Sequence, residues 1–264
     1  MTTLIDRRRT IAAVLVALAV AAYLSAQSPL MHRLLLPTKA PSGAIVLFDG
    51  SSLDRWVEYH NYLSDFDSKS ARFRHFRSLN DELGIDTSDP PADKQCYLAT
   101  KESFGDAHLH VEFRVPYTPE KQGQDRGNSG VYLQGRYEIQ ILDSYREPPA
   151  RDGNGAIYGL FAPLINPSLQ PGEWQTYDIW FRSPRFHGEQ VTEQPRITVF
   201  ENDVLIHDDR ELRVVSTQTY RPAKFVPGGP IVLQNHWCPV RFRNIWIEPG
   251  ARYEDRPTSA APTQ

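Results

Sequence analysis

Apolar and polar residues alternate along several short segments of the chain. In the stretch HLHVEFRV (108–115), every second side chain is apolar and the side chains between are His, Glu or Arg. Alternation with a period of two over this length is typical of a half-buried β-strand. Comparable predicted strands cover 108–116, 136–143, 176–183, 196–208, 230–236 and 240–249.

Helical patterns are weak by comparison. No segment keeps an apolar period of 3.6 residues over three turns, and the polar stretch 67–84 is interpreted as one short helix or a loop. Asn202-Asp203 is predicted to be a hairpin turn between two short strands. With 21 Pro and 16 Gly in 264 residues, many short strands joined by turns predict an all-β sandwich or barrel. Residues 44–249 are predicted to form one domain.

The two ends of the chain differ from this middle part. Arg7 to Arg9 precede an uncharged apolar stretch from Thr10 to Ala26, which is typical of a signal peptide and short of the about 20 residues of a membrane span. We predict that residues 1–26 are a signal peptide or an uncleaved anchor. An uncleaved anchor would be the protein's membrane attachment, and the folded part is expected to be periplasmic or extracellular. Residues 27–43 are predicted to be a linker and 250–264 a disordered tail.

Composition and motifs exclude several functions. The formal net charge is −3, and no basic face indicates nucleic acid. The chain has no glycine-rich phosphate loop, no HExxH and no Gly-x-Ser-x-Gly. The stretch 151–159 is interpreted as a plain turn rather than a calcium loop, and HDD (207–209) as a solvated hairpin end. Cys96 and Cys238 are either paired in an oxidising compartment or buried as thiols.

Polar side chains share one face in each of four predicted strands. They are His110, Glu112 and Arg114; Glu138 and Gln140; Gln234 and His236; and Arg241 and Arg243. Each set opposes an apolar face, so we predict that all of them line one open surface of a single sheet. Clustered planar hydrogen-bonding groups with interleaved Tyr and Trp are typical of sugar recognition. A carbohydrate or glycoside is therefore the predicted ligand, and loop 117–130 is expected to border its cleft.

Six stretches form an ordered series along the chain. They are LFDGSSLDRW (47–56), FGDAHLHVEFRVP (104–116), GNSGVYLQGRYEIQILDSY (127–145), GAIYGLFAP (155–163), PGEWQTYDIWF (171–181) and GPIVLQNHWCPVRFRNIWIEP (229–249). The series resembles the 3-keto-disaccharide hydrolase family of secreted bacterial proteins. The resemblance implies a jelly-roll β-sandwich of the concanavalin A-like type, with ligands on the concave sheet. It also implies action on glycosides whose sugar carries a ketone at C3.

Two features depart from the family pattern. Where the family often has Leu-Gln-Asp-His-Gly, this chain has LQNHW, so Asn235 and Trp237 are unusual choices. The polar segment 60–97 is also longer than the corresponding hairpin. Both departures are expected to affect substrate preference or activity.

The implied substrate suggests roles for the polar residues. A C3 ketone acidifies the C2 hydrogen, so a base can remove that proton and the C1 oxygen substituent can leave. We assign His236 as the base, because imidazole titrates nearest neutrality. Glu138 or Glu112 is the acid or orients the histidine, and Arg114 or Arg243 stabilises the enolate oxygen.

The remaining polar and aromatic residues are assigned to substrate binding. These substrate-binding candidates are Gln140, Gln234, His110, Arg243, Tyr132 and Trp237. No cofactor is expected; a divalent metal held by His110 and Glu138 is the alternative to an arginine.

Two further functions stay open at this point. A two-carboxylate glycosidase needs acidic groups about 5–9 Å apart, for which Glu112 and Glu138 are the obvious pair. A non-catalytic glycan-binding module would instead depend on aromatic side chains. Its candidates are Tyr132, Tyr137, Trp237 and Trp246.

Overall fold

The computed structural model describes residues 39–59, 76–85, 87, 96–217 and 224–258. The predicted signal peptide or anchor, most of the linker and the last six residues lie outside these ranges. Within them, no helix is long and apolar enough to span a membrane.

Fifteen β-strands and two short 3₁₀ turns make up the secondary structure of the described residues. The strands are β1 (Ile45–Phe48), β2 (Trp56–Tyr59), β3 (Phe76–Leu79), β4 (Glu82–Ile85), β5 (Cys96–Thr100), β6 (Ala107–Arg114), β7 (Ser129–Leu133), β8 (Tyr137–Ile141), β9 (Gln175–Arg182), β10 (Arg185–His187), β11 (Gln190–Glu193), β12 (Arg196–Glu201), β13 (Val204–Glu211), β14 (Val232–Asn235) and β15 (Arg241–Pro249). The 3₁₀ turns are Gly123–Asp125 and Tyr253–Asp255.

Two antiparallel sheets form a sandwich, as the family resemblance implies. The larger sheet has the strand order β13-β12-β9-β6-β15-β4-β3, and β1 also pairs with β15. The smaller sheet has the order β2-β5-β14-β7-β8, and β10 with β11 forms a separate hairpin. The protein is therefore an all-β jelly-roll sandwich.

The apolar faces of both sheets meet in one core. In the larger sheet, Leu109 of β6 lies opposite Ile179 of β9 and Ile247 of β15, so the strand register makes the apolar face continuous. Tyr137 of β8 in the smaller sheet lies 5.7 Å, ring to ring, from Phe181 of β9. Because side chains alternate across a strand, the polar residues between these apolar positions lie on the outer faces of the sandwich.

Asn-Asp dipeptides close two of the hairpins. Asn202 and Asp203 join β12 to β13 with φ of 51° and 65°, as the sequence predicts. Asn80 and Asp81 join β3 to β4 with φ of 51° and 63°. Two consecutive residues with positive φ match the twist of a tight hairpin. The helix considered for 67–84 is therefore wrong for residues 76–84, which form β3, a turn and most of β4.

Two other regions differ in part from expectation. Residues 250–258 belong to the folded unit, because Tyr253 is buried and its hydroxyl lies 2.9 Å from that of Thr198 on β12. The predicted disorder of the tail does not extend to these residues. In the described part of the chain, no disulfide joins Cys96 to Cys238, and both side chains are buried.

A cleft on the outer face of the smaller sheet

A polar cleft lies on the outer face of the smaller sheet. It encloses about 180 Å³. The residues lining it are Gln124, Asn128, Tyr132, Glu138, Gln140, Tyr158, Thr217, Gln234 and His236. They come from β7, β8, β14 and four adjoining loops, so the fold brings together residues more than 100 positions apart.

Strand register brings the central groups of the cleft together. Tyr132 of β7 pairs with Glu138 of β8, and Gly130 pairs with Gln140. On the other side of β7, Val232 pairs with Tyr132. Continuing that register sets Gln234 level with Gly130, so two glutamines flank a position that has no side chain.

Glu138 is the buried acid of the cleft. Its side chain lies over Gly130, because a Cβ added at that glycine would collide with the Glu138 Oε1. Only 5% of Glu138 is exposed. Burial raises its pKa to about 8, against the opposing effect of a hydrogen bond from Tyr132. The carboxyl group is therefore mostly protonated at neutral pH, and in this form it can donate a hydrogen bond.

The two glutamines carry unpaired carbonyl oxygens. Gln140 donates from Nε2 to the Gln124 Oε1 at 3.0 Å, and Gln234 donates from Nε2 to the Tyr132 hydroxyl at 2.9 Å. Both Oε1 atoms are buried and have no hydrogen-bond partner among the described residues. A buried acceptor without a partner costs about 1–3 kcal/mol, so these atoms favour a ligand that donates to them.

The stretch 151–159 supports β8 from its open edge. Backbone bonds run from Gly155 N to Gln140 O at 2.9 Å, from Gln140 N to Ala156 O at 2.9 Å and from Tyr158 N to Glu138 O at 3.1 Å. This stretch therefore acts as a short extra strand that places Tyr158 in the cleft. Burial, followed by the nearby Glu138 and Asp152, raises the pKa of Tyr158.

A buried polar network lies beneath this added strand. Asn154 donates to the Glu201 Oε1 at 2.7 Å, and the Tyr177 hydroxyl donates to Gln140 O at 2.6 Å. The side chain of Asn154 is thus engaged inside the protein, and the stretch 151–159, interpreted from the sequence as a plain turn, instead pairs with β8. His207 is fully buried and lies 2.8 Å from Gly155 O through its Nε2, so the interpretation of 207–209 as a solvated hairpin end is wrong for this histidine.

His236 and Trp237 separate at the end of β14. His236 is exposed and lines the cleft as the first residue after the strand. Trp237 has a φ of 60°, is partly buried and packs against the central core. It is not among the described residues that line the cleft, so this geometry does not support its predicted role as a sugar-stacking residue. Asn235 fixes the turn by accepting a hydrogen bond from Trp237 N at 2.8 Å.

Four candidate residues lie on the opposite side of the sandwich. His110, Glu112 and Arg114 are on β6, and Arg243 is on β15, in the larger sheet. The prediction that they share one surface with Glu138 and His236 is wrong. Sequence alternation gives the face of each strand but not the sheet to which that strand belongs.

Three of these residues, His110, Glu112 and Arg243, are linked by ion pairs, whereas Arg114 pairs with Glu82. Glu112 accepts hydrogen bonds from Arg243 Nε at 2.6 Å and from Asn244 Nδ2 at 2.8 Å. His110 lies 2.9 Å from the Asp178 Oδ1 through its Nδ1 and stacks on Trp246 with ring centroids 4.8 Å apart. Burial alone would lower the pKa of His110, but Asp178 and Glu112 outweigh it and raise the pKa to about 9.

The separation of the two faces also removes two predicted pairs. His110 and Glu138 cannot hold one metal ion, because their side chains emerge from the outer faces of different sheets. Glu112 and Glu138 cannot flank one glycosidic bond for the same reason. Among the described residues, no group of three or more His, Cys, Asp or Glu side chains is arranged to hold a metal ion.

Loops supply the cleft residues that strand patterns do not identify. Gln124 and Asn128 belong to loop 117–130, whose position at the cleft is expected from the glycine-rich turn. Tyr158 and Thr217 also line the cleft. Thr217 accepts a hydrogen bond from Glu138 N at 3.1 Å through its hydroxyl. No periodic pattern marks either residue, because loop residues are placed by tertiary contacts rather than by alternation.

Comparison with known proteins agrees with this fold. Residues 43–248 match the sequence profile of the 3-keto-alpha-glucoside-1,2-lyase-like domain. No protein of curated function matches the chain in sequence.

Solved structures give a consistent result. A Parabacteroides distasonis protein provisionally called a glycosyl hydrolase is 34% identical, with a TM-score of 0.66, covering 80% of this chain and 85% of that one. A second such protein from the same organism is 13% identical, with a TM-score of 0.55, covering 81% of this chain and 98% of that one. The second similarity supports the fold alone.

Proposed function

Because the chain belongs to the 3-keto-alpha-glucoside-1,2-lyase-like family, we propose that it cleaves the glycosidic bond of sugars that carry a ketone at C3. The cleft on the smaller sheet is the proposed active site. The observation that carries this assignment is Glu138, a buried and mostly protonated carboxyl group beside two unpaired amide oxygens. A protonated carboxyl is a hydrogen-bond donor suited to a ketone oxygen that becomes negative.

The reaction begins with proton removal at C2. His236, exposed at the cleft, takes the C2 proton as general base. The electron pair of the C–H bond moves onto the ketone and forms an enolate. Glu138 donates a hydrogen bond to the enolate oxygen at C3, and the phenol of Tyr158 is a second donor that its raised pKa keeps protonated.

Bond cleavage follows from collapse of the enolate. The C3 ketone re-forms, a double bond forms between C1 and C2, and the C1–O bond breaks. The departing oxygen takes the proton that His236 received from C2, so the histidine returns to its starting state. Water then adds across the double bond, placing hydroxide on C1 and a proton on C2.

Arginine has no place in this scheme. Arg114 is paired with Glu82 at 2.9 Å, and Arg243 is paired with Glu112, both on the larger sheet. Stabilisation of the enolate is therefore assigned to neutral donors in the cleft. Neutral donors leave the departing group and the base without a competing positive charge.

The other two functions find less support in the cleft. Glu138 is the one carboxylate among the described residues that line it, whereas a two-carboxylate glycosidase needs a pair. A glycan-binding module needs exposed aromatic platforms. Tyr132 and Tyr137 are fully buried, Trp246 belongs to the opposite face, and Trp237 packs on the core.

A comparison of oxidised and unoxidised sugars tests the proposal. The protein is incubated with 3-keto-trehalose or 3-keto-sucrose and, separately, with trehalose or sucrose, and the released sugars are measured. We expect release from the keto sugars alone, since the parent sugars lack an acidic C2 hydrogen. Cleavage of the parents at a similar rate would overturn the elimination mechanism.

A variant locates the chemistry within the cleft. His236→Ala is expected to reduce cleavage of the keto sugar by about 100- to 10,000-fold, as loss of a general base does. His236 is exposed, so the melting temperature should change little. Normal turnover by this variant would show that another group is the base.

A further inference from the structure

We propose that the cleft recognises its sugar through an acceptor–donor–acceptor row, in which the carbonyl oxygens of Gln140 and Gln234 flank the carboxyl group of Glu138, and that Tyr132 is the positioning residue that fixes this order. The identity of the sugar rests on the proposed function, but the order of the hydrogen-bonding groups does not. The row predicts a ligand with two hydroxyl groups flanking an acceptor oxygen.

Gly130 is the point about which the row is arranged. It is paired with Gln140, and the β7–β14 register sets Gln234 on its other side. Adjacent strands lie about 4.8 Å apart, so the two glutamine backbones are roughly 10 Å apart with no side chain between them. The Glu138 carboxyl group occupies the space above the glycine. The three polar groups therefore converge on one region of the cleft.

The amide of Gln140 has one stable orientation. Its Nε2 donates to the Gln124 Oε1 at 3.0 Å and lies 3.4 Å from Asp152 O. Both of those partners accept hydrogen bonds and neither donates one. Rotating the amide by 180° would place oxygen against two oxygens, so Oε1 is held as the atom without a protein partner.

The orientation of Gln234 depends on Tyr132. Gln234 Nε2 donates to the Tyr132 hydroxyl at 2.9 Å, and Tyr132 donates its own proton to Glu138. A hydroxyl group has one proton, so while it serves Glu138 it can only accept from Gln234. The Gln234 Oε1 is left unpaired, and the Glu138 oxygen that is not bonded to Tyr132 is left to carry the acid proton.

The resulting row matches the atoms around a C3 ketone. In a 3-keto-glucoside, the ketone oxygen accepts hydrogen bonds and the hydroxyl groups on C2 and C4 stand on either side of it as donors. Two fixed acceptors beside one donor are complementary to that arrangement. Methyl ethers at either hydroxyl would place an oxygen without a proton against an amide oxygen.

Binding of modified sugars tests the row without any variant of its members. The ligands are methyl 3-keto-glucoside, its 2-deoxy, 4-deoxy and 6-deoxy forms, and the corresponding methyl ethers. Dissociation constants are measured by calorimetry on His236→Ala, which keeps every member of the row. We expect the 2- and 4-modifications to weaken binding by about 10- to 100-fold, since each leaves a buried acceptor unpaired. The 6-modifications should have little effect.

Tyr132→Phe tests the positioning role. The variant releases Gln234 to turn its amide, so the penalty for the 2- or 4-methyl ether should fall. It also removes the hydrogen bond that favours ionised Glu138 and so raises the pKa of that carboxyl group. The fall in cleavage rate that accompanies ionisation of Glu138 should therefore occur at higher pH. Tyr97→Phe is the matched control, because Tyr97 is a buried phenol 6.2 Å from the Tyr132 ring and outside the described lining of the cleft.

The outcomes separate this inference from the proposed function. Equal binding of all deoxy forms, with cleavage of the keto sugar intact, would overturn the row alone. Discrimination at the C2 and C4 hydroxyl groups, without any cleavage of the keto sugar by the unmodified protein, would support the row and overturn the proposed reaction. An unchanged preference and pH profile in Tyr132→Phe would remove Tyr132 from the positioning role.

Discussion

The two outer faces of the sandwich carry similar residues that differ in charge and in pairing. On the larger sheet, Glu112 has Arg243 and Asn244 as partners, and His110 has Asp178. On the smaller sheet, Glu138 is mostly protonated at neutral pH and the oxygens of Gln140 and Gln234 have no partner among the described residues. Charged groups that satisfy one another stabilise or specify a fold, whereas unsatisfied groups beside a cleft are available to a ligand. The larger sheet also holds buried atoms without a hydrogen-bond partner among the described residues, His110 Nε2 and Arg243 Nη2, so the pairing of opposite charges on one face and the cleft on the other, rather than residue type, distinguish the structural network from the candidate site.

The largest expected effect comes from replacing Glu138 and Glu112 in two separate variants. Glu138→Leu should lower the rate of keto-sugar cleavage by about 100- to 1,000-fold, as removal of one donor to an oxyanion does, with little loss of stability. Glu112→Leu should instead lower stability by about 3–5 kcal/mol, because it leaves Arg243 without its buried partner. Denaturant unfolding and rates per folded molecule would measure both. A loss of stability in Glu138→Leu together with a loss of rate in Glu112→Leu would contradict the assignment of chemistry to one face and stability to the other.

Adding one methyl group beside Glu138 tests how closely the acid must be placed. Gly130→Ala puts a Cβ against the Glu138 Oε1, so the carboxyl group must move. A displacement of about 1 Å can cost roughly 100-fold in rate, and we expect a loss of 10- to 100-fold at saturating substrate. In the matched control Gly153→Ala, the nearest contact of the new Cβ is an ordinary 3.5 Å, and activity should be retained. Equal activity of both variants would show that Glu138 tolerates displacement.

The order of the strands in space could not be predicted from the sequence. Alternation correctly gave β6, β8 and β14 and the inward face of each, because a one-residue error would expose a row of apolar side chains. It did not show that β6 belongs to one sheet and β8 to the other, since a sandwich offers two outer faces with the same pattern. His110 was therefore grouped with Glu138 although the core separates them.

Other differences arise from turns and loops. The Asn80-Asp81 hairpin has the same dipeptide as Asn202-Asp203, and its signal was available in the flanking residues FRSL and ELGI. Trp237 has the same parity as the inward-facing Leu233, and its ring packs on the core although its positive φ turns the chain after β14. Tyr158 reaches the cleft because 151–159 pairs with the edge of β8, a long-range contact that has no local sequence signal.

The two faces should also respond differently to pH. The reaction needs the proton of Glu138, so its rate should fall as pH rises through about 8. Glu138→Gln keeps a hydrogen-bond donor that does not titrate, so this alkaline limb should disappear from the rate profile. Persistence of the limb in the variant would show that another group causes it.

On the larger sheet, pH should affect stability rather than rate. The folded pKa of His110 is about 9, above its ordinary value of 6.5. Its contribution to stability is therefore complete below pH 6.5 and is lost as pH rises through about 9. The fall in unfolding free energy between these pH values should be shallower in His110→Gln than in the parent. An identical slope in both proteins would mean that His110 does not hold its proton in the folded state.

The smallest effect is expected at Arg114, a residue that sequence patterns place among the catalytic candidates. Arg114 is partly exposed, pairs with Glu82 at 2.9 Å and lies 4.7 Å above the ring of Trp174. A partly exposed ion pair contributes up to about 1 kcal/mol, and Arg114→Met keeps an apolar contact with the ring. We therefore expect unchanged kcat and KM on the keto sugar and a loss of at most about 1 kcal/mol in stability. A loss of activity comparable to that of Glu138→Leu would mean that the larger sheet takes part in the reaction, and the distinction between a structural face and a functional face would fail.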